Sequence, residues 1–143
     1  MANNFNKRFV LKVLLLTEND GKILVQSVIE WNKGGLYRPL GGHIEFGERS
    51  EDAIKREIKE EVNSSIKNLE FLGLIENIQR SGKKIHHEID FLYKGKLSNK
   101  KLFENEIFDR DEDGRKEKAY WIEKGIFKKG KMKIVPEGIL KYL

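Results

Sequence analysis

The chain has 143 residues, of which 38% are apolar and 36% are charged. A chain of this length suits one core, so we expect residues 1–143 to form a single domain. The apolar share is too high for a disordered chain, and no apolar run approaches the roughly 18 residues of a membrane span. The first residues lack the apolar segment of a secretory signal, and there is no cysteine. These features predict a cytoplasmic protein without disulfides or thiolate metal sites.

The net charge of +5 indicates an anionic partner, either a nucleic acid or a phosphorylated small molecule. The lysines and arginines are scattered, and the densest runs, 94–101 and 128–133, resemble solvated loops or strand ends. A nucleic-acid-binding surface would gather such residues into one stripe with interleaved aromatic side chains. The distribution of charge therefore argues against nucleic-acid binding.

Strand and turn signals dominate the first 48 residues. Residues 9–16 are rich in leucine and valine, which predicts a strand, and a strong turn sequence follows at 18–21. Residues 22–28 predict a second strand. We expect these two strands to form a hairpin. A loop through Asn32 and Gly34 leads to the sequence 37–42. Residues 43–45 then alternate like a strand, and 46–48 turn away from it.

A helix is predicted over residues 50–62. Ser50 is a suitable N-cap, and Glu51 and Asp52 in the first turn interact favourably with the helix dipole. Asn63 tolerates the left-handed conformation that ends many helices. Because strands are expected both before and after this helix, the sequence predicts a mixed α+β domain.

The second half of the chain contains two long predicted strands, 69–79 and 85–97, joined at Ser81 and Gly82. A polar stretch follows over 98–118, and 119–122 reads as a further short strand. Pro136 is placed to open a C-terminal helix.

Three glutamates of the predicted helix, Glu57, Glu60 and Glu61, lie beside its apolar stripe rather than opposite it. At about 100° per residue they fall within roughly a third of the helix circumference. The neighbouring stripe should face the core and consists of Ile54, Ile58 and Val62.

Glu57 and Glu61 are like charges at i,i+4, which repel by a few tenths of a kcal/mol unless a cation lies between them. Mg²⁺ is a natural counterion, because it prefers carboxylate oxygens together with water and substrate phosphates. The turn before the helix ends in Gly42, which can offer a carbonyl to a metal or amides to a phosphate. The alternative is an ordinary solvated helix with exposed ion pairs.

The spacing of these residues resembles the Nudix box. Gly42 is followed after five residues by Glu48, and after seven more by Arg56-Glu57-Ile58-Lys59-Glu60-Glu61. Every charged position of the pattern is matched. At the end of the box Asn63 replaces a glycine and Ser64 an aliphatic residue, and asparagine keeps the turn accessible. The resemblance extends over residues 8–143 and implies the Nudix fold, a mixed β-sheet sandwiched between α-helices.

The resemblance also implies an activity. Family members use Mg²⁺ or Mn²⁺ to hydrolyse a nucleoside diphosphate linked to another group. Glu57, Glu60 and Glu61 are then the expected metal ligands, together with the backbone carbonyl near Gly42. By the same resemblance, the catalytic residues are Glu57, Arg56, which orients Glu57 through an ion pair, and Glu60; Glu48 steadies the loop against the helix.

Several assignments stay open at this stage. The proton acceptor is Glu57 or a glutamate from elsewhere in the chain, with Glu88, Glu104, Glu106 and Glu112 as candidates. Arg38 is a candidate for contact with a substrate phosphate. The expected partner is a small nucleotide, either a nucleoside triphosphate, ADP-ribose or another nucleotide sugar, or a dinucleoside polyphosphate. A homodimer is also open, because some members of the family dimerise.

Other suggestive residues receive a structural interpretation. The run 109–114 copies the start of an EF-hand loop, but Tyr120 stands where a glutamate is required, so we predict an acidic turn. His86 and His87 are adjacent in a strand and should face opposite sides. Trp31 and Tyr37 could stack on a base, but we assign them to packing near a sheet edge. Three phenylalanines are assigned to the core or to ordinary burial: Phe71, Phe91 and Phe103.

The main alternative function is a Nudix-like domain that binds a nucleotide without cleaving it. Retention of Arg56, Glu57, Glu60 and Glu61 argues for the enzyme, since a binding module has no need of all four. An RNA-binding or RNA-end-processing role rests on the positive charge alone.

Overall fold

The computed structural model describes residues 7–28 and 35–143, so the expectations for Trp31, Asn32 and Gly34 lie outside the described residues. Within these ranges the strands are β1 (Phe9–Leu16), β2 (Glu18–Asn19), β3 (Lys22–Ser27), β4 (Leu36–His43), β5 (Ile66–Ser81), β6 (Lys84–Leu97), β7 (Ile107–Glu112), β8 (Arg115–Glu123) and β9 (Lys133–Ile134). The helices are α1 (Ser50–Val62) and α2 (Lys124–Lys128), with 3₁₀-helices at Lys100–Phe103 and Glu137–Tyr142. None of the helices in the described part of the chain has the length and apolar character needed to cross a bilayer.

These strands form one mixed sheet with the order β5-β6-β1-β4-β3-β8-β7. β1 runs parallel to β6 and antiparallel to β4. The short strands β2 and β9 pair with β3 and β4, respectively. The predicted hairpin of two long strands is confirmed as β5 and β6, which meet at a turn through Gly82.

Both faces of β1 are buried over residues 13–16, which explains the continuous apolar sequence of this half of the strand, whereas Phe9 and Leu11 in the first half are exposed. Alternate residues of β1 pack against the apolar stripe of α1, in a cluster that includes Val13, Leu15, Ile54, Ile58 and Val62. The intervening residues pack against α2 and the C-terminal 3₁₀-helix, in a cluster that includes Leu14, Leu16, Phe127 and Ile139. The predicted α+β architecture, a mixed sheet between helical elements, is therefore confirmed.

The predicted hairpin between β1 and β3 is wrong. The predicted turn is confirmed, because Asp20 and Gly21 have φ angles of 51° and 76° and reverse the chain between β2 and β3. β1 itself lies between β4 and β6 in the sheet interior. In this position β1 has strand partners on both edges, and residues 13–16 are buried on both faces.

The helix α1 has the predicted bounds, and Asn63 ends it with a left-handed φ of 53°. The predicted N-cap is wrong, because Arg49 occupies the capping position without a side-chain hydrogen bond. Ser50 is the first helical residue, and its hydroxyl lies 2.7 Å from the hydroxyl of Tyr93 on β6. The Ser50 hydroxyl thus contacts a distant residue, Tyr93, instead of capping the helix.

The polar stretch 98–118 contains more structure than predicted. Residues 109–112 belong to β7, which pairs with β8, and only Asp113 and Gly114 form the turn. The predicted short strand at 119–122 is the end of the longer strand β8, and the helix after Pro136 is a 3₁₀-helix. The core assignment of two phenylalanines is also wrong, since Phe71 is 50% exposed and Phe103 is 36% exposed.

Candidate active site

Two clefts on the surface of the protein share part of their lining. The smaller, of about 380 Å³, lies where the end of β4 meets α1 and the β7–β8 turn. It contains the predicted site residues Arg38, Gly42, Glu57, Glu60 and Glu61. The larger, of about 560 Å³, extends from it towards β5 and β6. Lys12, Arg38 and Glu112 line both clefts, so the two form one continuous depression.

The carboxylate of Glu57 packs on the backbone of Gly42. A β-carbon at residue 42 would lie 2.4 Å from Cδ of Glu57 and 2.5 Å from each carboxylate oxygen. Gly41 permits an equally close approach to β1, since a β-carbon there would lie 1.9 Å from the carbonyl oxygen of Val13. The two glycines therefore let α1 and β1 approach β4 from different directions. Burial raises the pKa of Glu57, and the hydrogen bond from Arg56 opposes that shift.

Arg56 connects the helix to the preceding loop. Its Nε and Nη2 donate to the two carboxylate oxygens of Glu48, at 2.8 and 3.0 Å, and Nη2 also donates to the carbonyl oxygen of His43 at 3.0 Å. Its Nη1 donates to Oε1 of Glu57 at 3.0 Å, which is the expected ion pair. The hydrogen bond from Arg56 lowers the pKa of Glu48 to about 2. One planar guanidinium thus fixes both the loop and the Glu57 side chain.

Glu61 is a buried carboxylate without a hydrogen bond. The residue is 5% exposed, and no described residue donates a hydrogen bond to either carboxylate oxygen. The nearest cation is Arg110 on β7, with Nη1 at 3.8 Å. Burial raises the pKa of Glu61 to about 9. Such a group costs stability unless a partner reaches it.

The oxygen donors around the smaller cleft suit a hard divalent cation. Glu57, Glu61 and the carbonyls near Gly42 are the ligand type that Mg²⁺ prefers. Within residues 7–28 and 35–143, no three acidic or histidine side chains converge closely enough to hold a metal as they stand. Glu57 and Glu60 are instead hydrogen-bonded to Arg56, and the Glu60 side chain is 58% exposed. The chemistry of the site fits a cation, and binding one requires these side chains to turn.

The β7–β8 hairpin supplies a wall of the site that the sequence interpretation missed. Arg110 is buried, donates from Nε to the carbonyl oxygen of Lys118 at 3.1 Å, and pairs with Glu112. Residues 111–114, interpreted from sequence as part of an acidic turn, line the smaller cleft. The signal was the sole arginine in an acidic run, at the two-residue spacing of a strand from Glu112.

The four alternative proton acceptors fall into two groups. Glu112 lines both clefts and Glu88 lines the larger one. Glu104 is exposed beside the first 3₁₀-helix, and exposed Glu106 pairs with Lys22. The structure therefore brings Glu88 and Glu112 to the site and leaves Glu104 and Glu106 outside it.

Two cations stand where the clefts join. The Arg38 guanidinium forms no hydrogen bond or ion pair with any other side chain in the described ranges, and so is available to a ligand. Lys12 was missed by the sequence interpretation. Its signal was a lone charge within the apolar run of β1.

The histidines behave as expected of neighbours in a strand. His86 lies at the larger cleft with Nε2 3.1 Å from Oε1 of Glu88. His87 contacts Glu76 at 3.3 Å and packs edge-on against Phe9. Tyr37 packs against Tyr120 and Phe127 and does not line either cleft, which agrees with its packing assignment.

Sequence relatives of the chain include NAD-capped RNA hydrolases. The chain is 39% identical to NudC of Pseudomonas syringae pv. tomato over 61 residues. This aligned segment covers 43% of this chain and 21% of that protein. Over 40 residues it is 50% identical to NudC of Haemophilus influenzae, which covers 28% of this chain and 15% of that protein. The similarity thus spans about a fifth or less of the length of these relatives.

Solved structures share the fold at low sequence identity. A NUDIX hydrolase from Nitrosomonas europaea matches with a TM-score of 0.67 and 19% identity over 94% of this chain and 87% of that one. A MutT NUDIX hydrolase from Burkholderia pseudomallei matches with a TM-score of 0.63 and 20% identity, over 83% and 86% of the two chains. The family model of the NUDIX domain matches residues 7–139. The chain belongs to the Nudix family.

Proposed function

We propose that the protein is a Mg²⁺- or Mn²⁺-dependent pyrophosphohydrolase, which cleaves a phosphoanhydride bond in a nucleoside diphosphate linked to another group. The observation that carries this proposal is the buried Glu61 carboxylate, to which no described residue donates a hydrogen bond, at the wall of the cleft that contains Glu57. A buried carboxylate is stabilised by a cation that contacts it directly. Membership of the Nudix family indicates the use of such a cation, which is hydrolysis of a phosphoanhydride bond.

The residues of the smaller cleft would hold the metal, with Glu57, Glu60 and Glu61 as side-chain ligands and a backbone carbonyl near Gly42 as a further one. When bound, a divalent cation neutralises phosphate charge and makes an attacking water more acidic. Arg56 holds the Glu57 carboxylate beside Gly42 at the wall of the cleft, from which the side chain would turn to bind the cation. Arg38 presents a guanidinium that pairs with no described side chain, which suits bidentate contact with a phosphate.

A carboxylate must also accept the proton of the attacking water. Glu57 is suited to this because burial raises its pKa above that of an ordinary glutamate. Glu112 lines the same cleft, and Glu88 lies farther along the larger one. We propose Glu57 as the acceptor, with Glu112 as the alternative closest to the helix glutamates.

The larger cleft would hold the part of the substrate beyond the scissile bond. Its volume of about 560 Å³ falls in the range of small-molecule sites. Nucleoside triphosphates and ADP-ribose are the simplest candidates. The name of the NudC relatives adds NAD and NAD-capped RNA, although the similarity covers only a small part of those proteins.

The test is a substrate panel with Mg²⁺, followed by separation of the nucleotide products. It contains the common nucleoside triphosphates, ADP-ribose, NAD and a NAD-capped oligonucleotide, each with wild type and Glu57→Gln. Cleavage of one class by the wild type, with at least a hundredfold loss in Glu57→Gln, supports the proposal. No cleavage, together with a metal-dependent rise in melting temperature on addition of one nucleotide, would favour a binding module instead.

A further inference from the structure

Lys12 lies at the centre of the depression formed by the two clefts. In β1 it stands opposite Asp90 of β6 on one side and His43 of β4 on the other. Lys12 and Arg38 are the cations that line both clefts in the described chain. A phosphate chain that runs from the helix glutamates into the larger cleft would pass between them.

Lys12 forms a nearly buried ion pair with Glu88. Its Nζ lies 3.2 Å from Oε1 of Glu88, and the two side chains are 13% and 8% exposed. An ammonium group has three N–H donors, and this contact uses one of them. The remaining donors can serve a ligand in the cleft, because Lys12 belongs to the lining of both cavities.

Asp90 completes the support of this pair. It is fully buried, and no N–H or hydroxyl donor of the described residues reaches either of its oxygens. Its hydrogen-bond neighbour is the Glu88 carboxyl, and two carboxyl groups share a hydrogen bond only when one is protonated. Burial raises the pKa of Asp90, so Asp90 carries the proton. Burial also disfavours ionised Glu88, but hydrogen bonds from Asp90, His86 and Lys12 hold its pKa below the ordinary value.

The charged side chains at the junction differ in their pairing. Glu88 pairs with Lys12 and Glu112 pairs with Arg110, while Arg38 has no partner among the described side chains. A buried ion pair is rarely kept for stability alone, since an apolar pair of similar volume is often as stable.

We propose that Lys12 binds a phosphate group of the substrate where the two clefts join, and that Glu88, through its ion pair with Lys12, positions the Lys12 ammonium. This inference rests on the proposed function for the class of ligand, a chain of linked phosphates. Glu88 acts through Lys12 and is a positioning residue; it does not itself contact the phosphate.

The test is calorimetric titration with inorganic tripolyphosphate in Mg²⁺, which requires no hydrolysis and no knowledge of the base. Lys12→Met should bind about tenfold to a hundredfold more weakly than wild type, the usual loss for one charge-assisted hydrogen bond. Lys94→Met is the matched control, because Lys94 also pairs with a carboxylate, Glu70 at 2.9 Å, but on the exposed surface. It should bind within twofold of wild type.

The positioning role is tested by a double-mutant cycle. If Glu88 acts through Lys12, Glu88→Gln weakens binding and Lys12→Met/Glu88→Gln binds no worse than Lys12→Met alone. Additive losses would mean that Glu88 contacts the ligand itself and would overturn its positioning role. If Lys12→Met does not fold, the double variant replaces it, because removing both charges leaves no unpaired buried ion.

The outcomes separate this inference from the proposed function. Wild-type binding that Lys12→Met retains overturns the role of Lys12, even if the enzyme is active. Loss of binding in Lys12→Met, without hydrolysis of any nucleotide by wild type, supports this inference and contradicts the proposed hydrolysis. Failure of wild type to bind tripolyphosphate overturns the inference directly.

Discussion

The carboxylate of Glu57 lies on Gly42, so close that a single β-carbon at residue 42 would overlap it at 2.4 Å. The group that would have to move is the end of a flexible side chain rather than backbone. A side chain at position 42 therefore displaces Glu57 without disturbing the sheet. This relationship separates an effect on the site from an effect on the fold.

Gly42→Ala should lose activity while keeping its stability. We expect about a hundredfold fall in kcat/KM, because displacements of about 1 Å in a catalytic group have effects of that size. The melting temperature should change by only a few degrees. Gly125→Ala is the control, since an added β-carbon there meets nothing within 4 Å. Full activity in Gly42→Ala would show that the position of Glu57 does not matter.

Arg56→Lys should reduce both stability and activity. Lysine keeps the charge but cannot contact the two oxygens of Glu48, the carbonyl of His43 and Glu57 at once. We expect unfolding in urea to become easier by about 1–3 kcal/mol, with a larger relative loss in kcat. Lys55→Met, which breaks the exposed pair with Glu51, should change stability by less than about 0.5 kcal/mol. Equal effects of the two variants would contradict the role of Arg56.

Glu61→Gln should be more stable than wild type in EDTA at pH 8. The pKa of Glu61 is about 9 in the folded protein against 4.5 ordinarily. The folded state therefore holds a proton that the unfolded chain releases, and wild-type stability falls as the pH rises between these values. Glutamine removes this dependence, and we expect a gain of about 1–3 kcal/mol at pH 8 that disappears near pH 4.

The same variant tests the metal site. Mg²⁺ should raise the melting temperature of wild type, because it binds the folded state through Glu61. It should raise that of Glu61→Gln far less. A variant that is less stable than wild type in EDTA at pH 8, or one that responds fully to Mg²⁺, would contradict this account of Glu61.

Substitutions of the remaining glutamates should divide by location. Glu104→Gln and Glu106→Gln should keep kcat within about twofold, because surface changes away from a site are usually near neutral. Glu112→Gln should lower kcat, since Glu112 lines the cleft and pairs with Arg110. Steady-state kinetics of the three variants, measured side by side, decides this. A large loss in Glu106→Gln would place the proton acceptor outside the clefts.

The sequence predicted the elements that have local causes. The helix over 50–62, its end at Asn63 and the long hairpin of β5 and β6 follow from periodicity and turn residues, and all three are confirmed. The predictions of the N-cap and of the β1–β3 pairing were wrong, because long-range contacts determine both features. Tyr93 takes the Ser50 hydroxyl, and β1 is buried between β4 and β6.

The candidate site divides in the same way. The helix glutamates and Gly42 are recognisable because one fixed spacing brings them together. Lys12, Arg110 and Glu112 reach the site through long-range strand pairing, which spacing along the chain does not reveal. Asp90 reaches Lys12 in the same way, from a strand that follows β1 by more than 60 residues.

The most direct test of the account is the Mg²⁺ dependence of turnover on the best substrate of the panel, for wild type, Glu57→Gln and Glu61→Gln. The account predicts turnover that disappears in EDTA and returns with Mg²⁺ in wild type, and a loss of at least a hundredfold in both variants at saturating metal. Turnover that persists in EDTA, or that either variant retains, would contradict the claim that these glutamates hold a catalytic cation.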